Sequence, residues 1–295
     1  MADPVFRGII AYPVTPFKPG DGGIDATALR GLVDRLVAGG SDAIAPLGST
    51  GESAYLTDEE WDEVADVSVK QVAKRVPTVV GISDLTTKNA VRRAKFAEQV
   101  GADAIMVMPM SYWKLTEPEI ATHYARIAEA VGIPIMVYNN PATSGVDMRP
   151  EFIAKMVREI TNVTMVKEST GDVQRMHRLA QISDGAIHYY NGSNPLALAA
   201  FAAGAVGWCT AAPNLVPEWP KRLHRAIVAD KLNEAREVFY RQLPLLQFIL
   251  RGGLPSTIKG GLRILGFDAG VPRDPLRPMS AEDTAELKGI LDKLK

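Results

Sequence analysis

Short apolar segments of strand-like composition recur along the chain, and each is followed by a stretch with helical periodicity. Runs of aliphatic residues are typical of buried strands in a parallel sheet. Two parallel strands need a crossover connection between them, which is usually a helix. The candidate strands are Gly8–Thr15, Ala43–Leu47, Thr78–Ile82, Ala104–Met108, Pro134–Asn139, Val163–Glu168, Ile187–Asn191 and Ala205–Thr210.

These strand–helix units, repeated eight times, predict an α/β protein with the (β/α)8 TIM barrel fold. That fold typically needs ~250 residues, and the units here run from residue 8 to about residue 230. An open doubly wound sheet is the main alternative, because it is built from the same kind of unit. The interval between the last two candidate strands has room only for a short helix.

Two of the predicted helices have clear start signals. Thr57 and Glu60 have the spacing of a capping box, which predicts a helix from Thr57 to about Lys74. Asp25 is a candidate N-cap for a helix over Ala26–Ala38, whose apolar residues fall at helical spacing. The same kind of pattern predicts helices over residues 86–99 and 117–130.

Beyond about residue 230 the pattern becomes helical only. Three helices are predicted, at Asn233–Leu250, Pro255–Leu265 and Ala281–Leu294. We therefore predict a barrel domain over residues 1–230 and a C-terminal helical extension over residues 231–295.

The charge balance argues against nucleic acid and membrane partners. The 295-residue chain has a formal net charge of −1 and no basic block. Residues 185–217 lack charged side chains but contain asparagine and proline, so we expect a buried strand–helix–strand passage there. The first eight residues do not have the pattern of a signal peptide. A single cysteine, Cys209, cannot form an internal disulfide, and we therefore expect a cytoplasmic protein.

The histidine pattern does not predict a metal site. No two of the four histidines have the spacing of a zinc-binding pair, and three lie in helix-like stretches. They are His123, His177, His188 and His224.

The most unusual strand is Val163–Glu168, because its apolar run ends in Lys167. A buried ammonium without a partner is unfavourable and tends to lose its proton. One interpretation is a lysine that reaches solvent where the strand ends. The other is a neutral amine, the nucleophile of Schiff-base chemistry. Alternation along the strand places Lys167 on the face of Met165, with Glu168 directed to the other face.

The turn after the second candidate strand is Gly48-Ser49-Thr50-Gly51-Glu52. Its glycines allow close approach to the backbone, and Ser49 and Thr50 supply hydroxyl donors. Such a turn suits a carboxylate ligand, although an ordinary polar turn has a similar composition. The spacing is not that of a phosphate-binding P-loop.

Three further residues lie at the ends of candidate strands. Tyr138 could transfer protons to a substrate oxygen or could be a core aromatic residue. Gly192 permits close contact with a ligand or simply a turn. Cys209 is expected to be a small apolar residue within the eighth strand.

Taken together, these motifs resemble the dihydrodipicolinate synthase / N-acetylneuraminate lyase family, a family of class I, Schiff-base pyruvate aldolases and dehydratases. The resemblance covers the whole chain, including the C-terminal helices. It depends on the order of Thr15-Pro16-Phe17, Gly-Ser-Thr-Gly-Glu at 48–52, Tyr-Asn-x-Pro at 138–141, Gly145 and Val-Lys-Glu at 166–168.

The resemblance implies a role for each site residue. Lys167 would form the Schiff base with the keto carbon, and Tyr138 would transfer protons. Ser49 and Thr50, with the backbone at Gly48, would bind the carboxylate of the keto acid. Gly192 and the main chain at Cys209 would line the site. No metal or organic cofactor is implied, because an iminium itself withdraws electrons from the neighbouring carbon.

Two positions depart from the family pattern. Dihydrodipicolinate synthases have an arginine two residues after the proline of Tyr-Asn-x-Pro, where this chain has Thr143. A threonine cannot replace a bidentate guanidinium at the end of the site that binds the second substrate. The family also has a tyrosine after strand four that reaches a neighbouring subunit's site. Tyr112 or Ser111 takes that position here, and we favour Tyr112 as the proton-relay partner.

The predicted function is a lyase that forms a Schiff base with pyruvate or another 2-keto acid. Thr143 favours aldol cleavage or dehydration of a 2-keto-3-deoxy sugar acid or similar substrate. One alternative is 4-hydroxy-tetrahydrodipicolinate synthesis from pyruvate and aspartate semialdehyde; a barrel that binds a metabolite without catalysis is another. The resemblance also implies a homo-oligomer, a tetramer or a dimer.

Overall fold

The computed structural model describes residues 6–20 and 22–295, and this part of the chain contains eight parallel strands that alternate with helices. The fold is the predicted (β/α)8 TIM barrel. The strands are β1 (Gly8–Ala11), β2 (Ala43–Ile44), β3 (Val79–Gly81), β4 (Ala104–Val107), β5 (Ile135–Asn139), β6 (Val163–Glu168), β7 (His188–Asn191) and β8 (Gly207–Thr210). Their order in the sheet is β2-β1-β8-β7-β6-β5-β4-β3, which follows the sequence and excludes an open doubly wound sheet.

The helices of the described residues connect these strands and continue beyond the last one. The same residues also form four short 3-10 turns, and the first of them is Ser49–Gly51 after β2. The helices are α1 (Ala26–Ala38), α2 (Asp58–Val72), α3 (Thr87–Gln99), α4 (Glu117–Ala128), α5 (Pro141–Ser144), α6 (Pro150–Glu159), α7 (Val173–Ser183), α8 (Ala197–Ala202), α9 (Glu218–Val228), α10 (Leu232–Gly252), α11 (Leu254–Ile264) and α12 (Ala281–Asp292).

The chain forms two compact units. The first unit is residues 77–209 with the described part of residues 1–7, and it contains β3 to β7 and most of β8. β4 is a continuous buried apolar run, as expected for a parallel sheet, whereas β5 and β6 are mostly buried and end in polar residues. Tyr138 on β5 is opposite Lys167 on β6, and Lys167 is opposite Tyr190 on β7.

The second unit is residues 8–76 and 210–295. In it β1 and β2 pair in parallel, with Ile10 opposite Ala43. Helix α1 packs against α2, and α9 packs against α10. The buried face of α1 consists of the four apolar residues Leu29, Leu32, Val33 and Leu36, which repeat at helical spacing.

Both predicted helix starts are confirmed. Helix α1 spans Ala26–Ala38, and Asp25 Oδ1 accepts a hydrogen bond from Ala28 N at 2.9 Å. At the start of α2, Thr57 N donates to Glu60 Oε2 at 2.9 Å and Glu60 N donates to Thr57 Oγ1 at 3.3 Å. The short helix expected between the last two strands is α8.

The strand predictions are right in number and place, but most extend too far. β6 has the predicted bounds, whereas β1 ends at Ala11 and does not reach Thr15. The proline at position 13 has no N–H to donate, so the ladder cannot continue through it.

The three C-terminal helices predicted from periodicity correspond to α10, α11 and α12. The division of the chain at residues 230 and 231 stays a prediction. The predicted absence of a signal peptide concerns a segment whose residues 1–5 lie outside the described residues. Across the described ranges, none of the helices combines the length and apolar character needed to cross a membrane.

Candidate active site

Lys167 and Tyr138 lie side by side in the first unit. They are paired in register on adjacent strands, and Lys167 Nζ lies 3.8 Å from the centroid of the Tyr138 ring. Both side chains are buried, with exposed fractions of 5% and 4%. The interpretation of Lys167 as a lysine that reaches solvent is therefore wrong. A buried amine beside a phenol is a suitable pair for nucleophilic attack coupled to proton transfer.

The hydroxyl of Tyr138 has a defined polar neighbour. Asn140 Nδ2 donates a hydrogen bond to Tyr138 Oη at 2.8 Å. Because this bond uses an acceptor position of the phenol oxygen, it does not consume the O–H proton. Tyr138 thus has the arrangement required of a proton donor, and its role stays a prediction.

Glu168, which follows Lys167, is buried and fully engaged. Its Oε2 accepts from Asn139 Nδ2 at 3.1 Å, and its Oε1 accepts from Thr170 N at 2.8 Å. Arg175 Nη1 lies 4.0 Å from Oε2. Burial raises the pKa of the Glu168 carboxyl, while the hydrogen bonds from Thr170 oppose that shift. The bond to Asn139 ties the end of β6 to the end of β5, the strand that carries Tyr138.

Gly192 packs closely against the side chains of Lys167 and Ser169. A Cβ at this position would lie 3.0 Å from Lys167 Cε and 1.7 Å from Ser169 Oγ. A side chain here would force the Ser169 hydroxyl to rotate away and the lysine to shift, so glycine suits the present packing. Gly192 N donates to Glu168 O at 2.8 Å, which fixes the backbone at the end of β7.

Ser169 is a residue that sequence reasoning missed. Its Oγ is buried and has no hydrogen-bond partner among the described residues. Because a buried hydroxyl normally has a partner, this group is available to a ligand beside Lys167. The sequence signal was its position two residues after Lys167, where strand alternation returns to the same face.

The remaining predicted residues of the first unit lie in different surroundings. Cys209 is buried within β8, as predicted. Thr143 is exposed on the short helix α5. Tyr112 is 90% exposed and stacks edge-on against Trp113 at 5.8 Å between ring centroids. Ser111 Oγ accepts from Trp113 N at 3.2 Å.

The hydroxyl turn belongs to the second unit. Gly48 precedes the 3-10 turn Ser49–Gly51 in an extended conformation, Ser49 is half-buried and Thr50 is 3% exposed. Thr15 Oγ1 donates to Gly51 O at 2.7 Å, so the motif around Thr15 supports the turn directly. The turn does not have the spacing of a phosphate-binding P-loop. Its two hydroxyls and adjacent N–H groups suit a carboxylate.

Glu52, the last residue of the turn, is also buried. Its Oε1 lies 2.7 Å from Lys259 Nζ, and its Oε2 accepts from Arg273 N at 2.7 Å. Both partners come from the C-terminal part of the second unit, and sequence reasoning identified neither of them. Within the described residues, no group of three or more His, Cys, Asp or Glu side chains could hold a metal ion.

Comparisons with known proteins give one consistent family. The profile of the dihydrodipicolinate synthetase family matches residues 5–294. The 4-hydroxy-tetrahydrodipicolinate synthase of Geotalea daltonii is 33% identical over 291 residues, 99% of this chain and 99% of that protein. The enzyme of the same name from Persephonella marina is 34% identical over 288 residues, 97% of this chain and 98% of that protein.

Solved structures agree with these sequence matches. A Pseudomonas aeruginosa chain, provisionally assigned as a dihydrodipicolinate synthetase, superposes with a TM-score of 0.97 at 57% identity, over 98% of this chain and 99% of that chain. Dihydrodipicolinate synthase from Aquifex aeolicus superposes with a TM-score of 0.93 at 32% identity, over 98% of each chain.

Proposed function

The chain belongs to the dihydrodipicolinate synthetase family, and we propose that it is a class I lyase that forms a Schiff base between Lys167 and pyruvate or another 2-keto acid. The observation that carries this proposal is the buried Lys167 amine, 3.8 Å from the centroid of the Tyr138 ring.

The proposed chemistry begins with attack of the neutral Lys167 amine on the keto carbon. Tyr138 donates a proton to the carbonyl oxygen, and loss of water then leaves an iminium. The positive iminium nitrogen stabilises a carbanion on the carbon next to the former keto carbon. This allows aldol cleavage or formation of a C–C bond to that carbon, or elimination of a hydroxyl group one carbon further on. No organic cofactor or metal is required for this step, since the protein-bound imine itself is the electron sink.

We assign the substrate carboxylate to the turn at Gly48, Ser49 and Thr50. The support is the family resemblance together with the buried hydroxyl of Thr50 and the half-buried hydroxyl of Ser49. Cys209 contributes its main chain to the same proposed site.

For the substrate branch we propose a 2-keto-3-deoxy sugar acid or a similar hydroxylated 2-keto acid. Thr143 lacks the charge of the arginine found in dihydrodipicolinate synthases, and the unpartnered Ser169 hydroxyl offers a hydrogen bond to a substrate hydroxyl. The alternative, 4-hydroxy-tetrahydrodipicolinate synthesis, is supported by the names of the relatives.

A substrate panel distinguishes these two branches. We expect pyruvate release from 2-keto-3-deoxy sugar acids with a higher kcat/KM than condensation of pyruvate with aspartate semialdehyde. Thr143→Arg should raise the condensation ~10-fold, because a charge-assisted hydrogen bond contributes ~1.5–3 kcal/mol. Thr143→Gln is the control, since it adds length without charge. Efficient condensation by the wild type would support the alternative, and turnover of neither class would favour a non-catalytic barrel.

We propose that the protein is a homo-oligomer, a dimer or a tetramer, in which Tyr112 acts as the relay residue. The support is the exposure of Tyr112 (90%) and Trp113 (78%), a pair of large aromatic side chains that a second subunit could cover. Sedimentation equilibrium at assay concentrations should give a mass well above 31.9 kDa. A monomer under those conditions would contradict the proposal.

The proposed location is the cytoplasm, since the single cysteine cannot form an internal disulfide. Recovery of the protein in a secreted fraction would contradict this location.

A further inference from the structure

Glu52 ends the hydroxyl turn in a backbone conformation that side chains rarely adopt. Its φ and ψ are 55° and 31°, in the left-handed region, where a residue with a Cβ is strained. Such a conformation persists only when the surroundings hold it. Here both carboxylate oxygens are anchored, one by Lys259 Nζ and one by Arg273 N, each at 2.7 Å.

Lys259 is itself buried and needs the Glu52 carboxylate as a counter-charge. It is 2% exposed on α11, its Nζ donates to Val271 O at 3.1 Å, and Nζ lies 3.8 Å from the centroid of the Phe17 ring. A buried ammonium needs a counter-charge, and Glu52 provides it. Burial lowers the pKa of Lys259 to about 8, although the Glu52 carboxylate opposes that shift.

The other charged groups around this pair are accounted for. The Arg273 guanidinium lies 4.4 Å from the centroid of Phe17, on the ring that Lys259 also contacts. The guanidinium forms an ion pair with Glu60, so it does not take the place of Lys259 at the Glu52 carboxylate. Two cations and two carboxylates therefore neutralise each other in this cluster.

The hydroxyl turn is held at adjacent residues by two different contacts. Thr15 Oγ1 donates to the carbonyl of Gly51, and the Lys259 ion pair holds Glu52. Ser49 and Thr50 directly precede these anchored residues in the chain. Loss of the Lys259 ion pair would leave Arg273 N as the remaining one of the two contacts that hold the Glu52 carboxylate. We expect the strained conformation of Glu52 then to relax and the backbone at Thr50 to change its orientation.

We infer that Lys259 and Glu52 are positioning residues, whose buried ion pair fixes the Ser49–Gly51 turn in the conformation that binds the substrate carboxylate. This inference rests on the proposed function. A preformed turn binds its ligand without first being ordered, so the pair acts on affinity for the keto acid. An ion pair with a purely structural role would change stability and leave that affinity unchanged.

The test is borohydride trapping of the pyruvate adduct at a series of pyruvate concentrations. We expect Lys259→Met to raise the half-saturating pyruvate concentration ~10-fold or more, with the maximal trapping rate within ~3-fold of wild type. The matched control is Lys221→Met, which removes a different ion pair of the same unit, the one with Asp42. An unchanged half-saturating concentration in folded Lys259→Met would overturn the inference, as would an equal rise in Lys221→Met.

Two further measurements keep the test decisive. Glu52→Gln retains an acceptor for Arg273 N but loses the charge, and we expect it to weaken pyruvate binding in the same way even if Lys259→Met does not fold. In the wild type, binding should weaken as the pH rises through about 8, because Lys259 loses its proton there. Lys259→Arg keeps its charge in that range and should remove this dependence relative to wild type.

The outcomes separate the two proposals. If wild-type protein gives no trapped adduct, the proposed function fails and the inference fails with it. If the wild type is trapped and neither Lys259→Met nor Glu52→Gln alters pyruvate binding, only the inference fails.

Discussion

Replacing Lys167 with alanine is expected to lower kcat at least ~10³-fold, because removal of a covalent nucleophile abolishes the pathway that it supports. The amine is buried against Tyr138, and the variant retains no other group at that position on β6. The measurement is steady-state turnover of the best substrate of the panel. Lys167→Arg should be equally inactive, since a guanidinium does not lose its proton.

The control for this prediction is Lys288→Ala, which removes an exposed lysine from α12. It should retain wild-type kcat. Lys167→Ala removes the buried side chain beyond Cβ and leaves a cavity, so circular dichroism is needed to check that the variant is folded. A kcat for Lys167→Ala within ~10-fold of wild type would contradict the assignment of Lys167 as the nucleophile.

Tyr138→Phe should lower the rate of imine formation by ~10² to 10⁴-fold, the usual contribution of a positioned general acid or base. The phenylalanine keeps the ring beside Lys167 Nζ, so the substitution removes the hydroxyl while the aromatic contact remains. It also leaves Asn140 Nδ2 without its acceptor. The rate of adduct formation at saturating pyruvate, measured by rapid quenching with borohydride, reports the effect.

Tyr190→Phe is the matched control for this substitution. Tyr190 is opposite Lys167 on β7, but its hydroxyl donates to Phe6 O at 2.8 Å and is engaged in the core. We expect this variant to lose some stability and to keep most of its rate. Equal losses of rate in the two variants would contradict the role of Tyr138 as a proton donor, because loss of any buried hydroxyl would then have the same effect.

The fold was largely predictable because its signals are local. Helix α1 and strand β6 have the predicted bounds, since a capping residue and a continuous apolar run define them within a few positions. The end of β1 was wrong because a proline at position 13 removes a donor from the ladder, and the apolar pattern alone does not show this.

Only part of the candidate site could be recognised from the local sequence. Lys167 was recognisable because a charged residue at the end of a buried strand is unusual. Lys259 was not recognisable, because a lysine in an amphipathic helix is normally on the solvent-facing side. Its partner Glu52 is far away in the sequence, so only the three-dimensional structure identifies the buried pair. Ser169 was missed for a similar reason, since its lack of a partner is a property of the fold.

The central claim is that Lys167 forms a covalent imine with a 2-keto acid. Intact-mass measurement after borohydride reduction with pyruvate tests it most directly, on wild type and on Lys167→Ala. We expect one reduced pyruvate adduct per wild-type chain, located on Lys167 by peptide mapping, and no adduct on the variant. No adduct on wild type, or an equal adduct on Lys167→Ala, would contradict it.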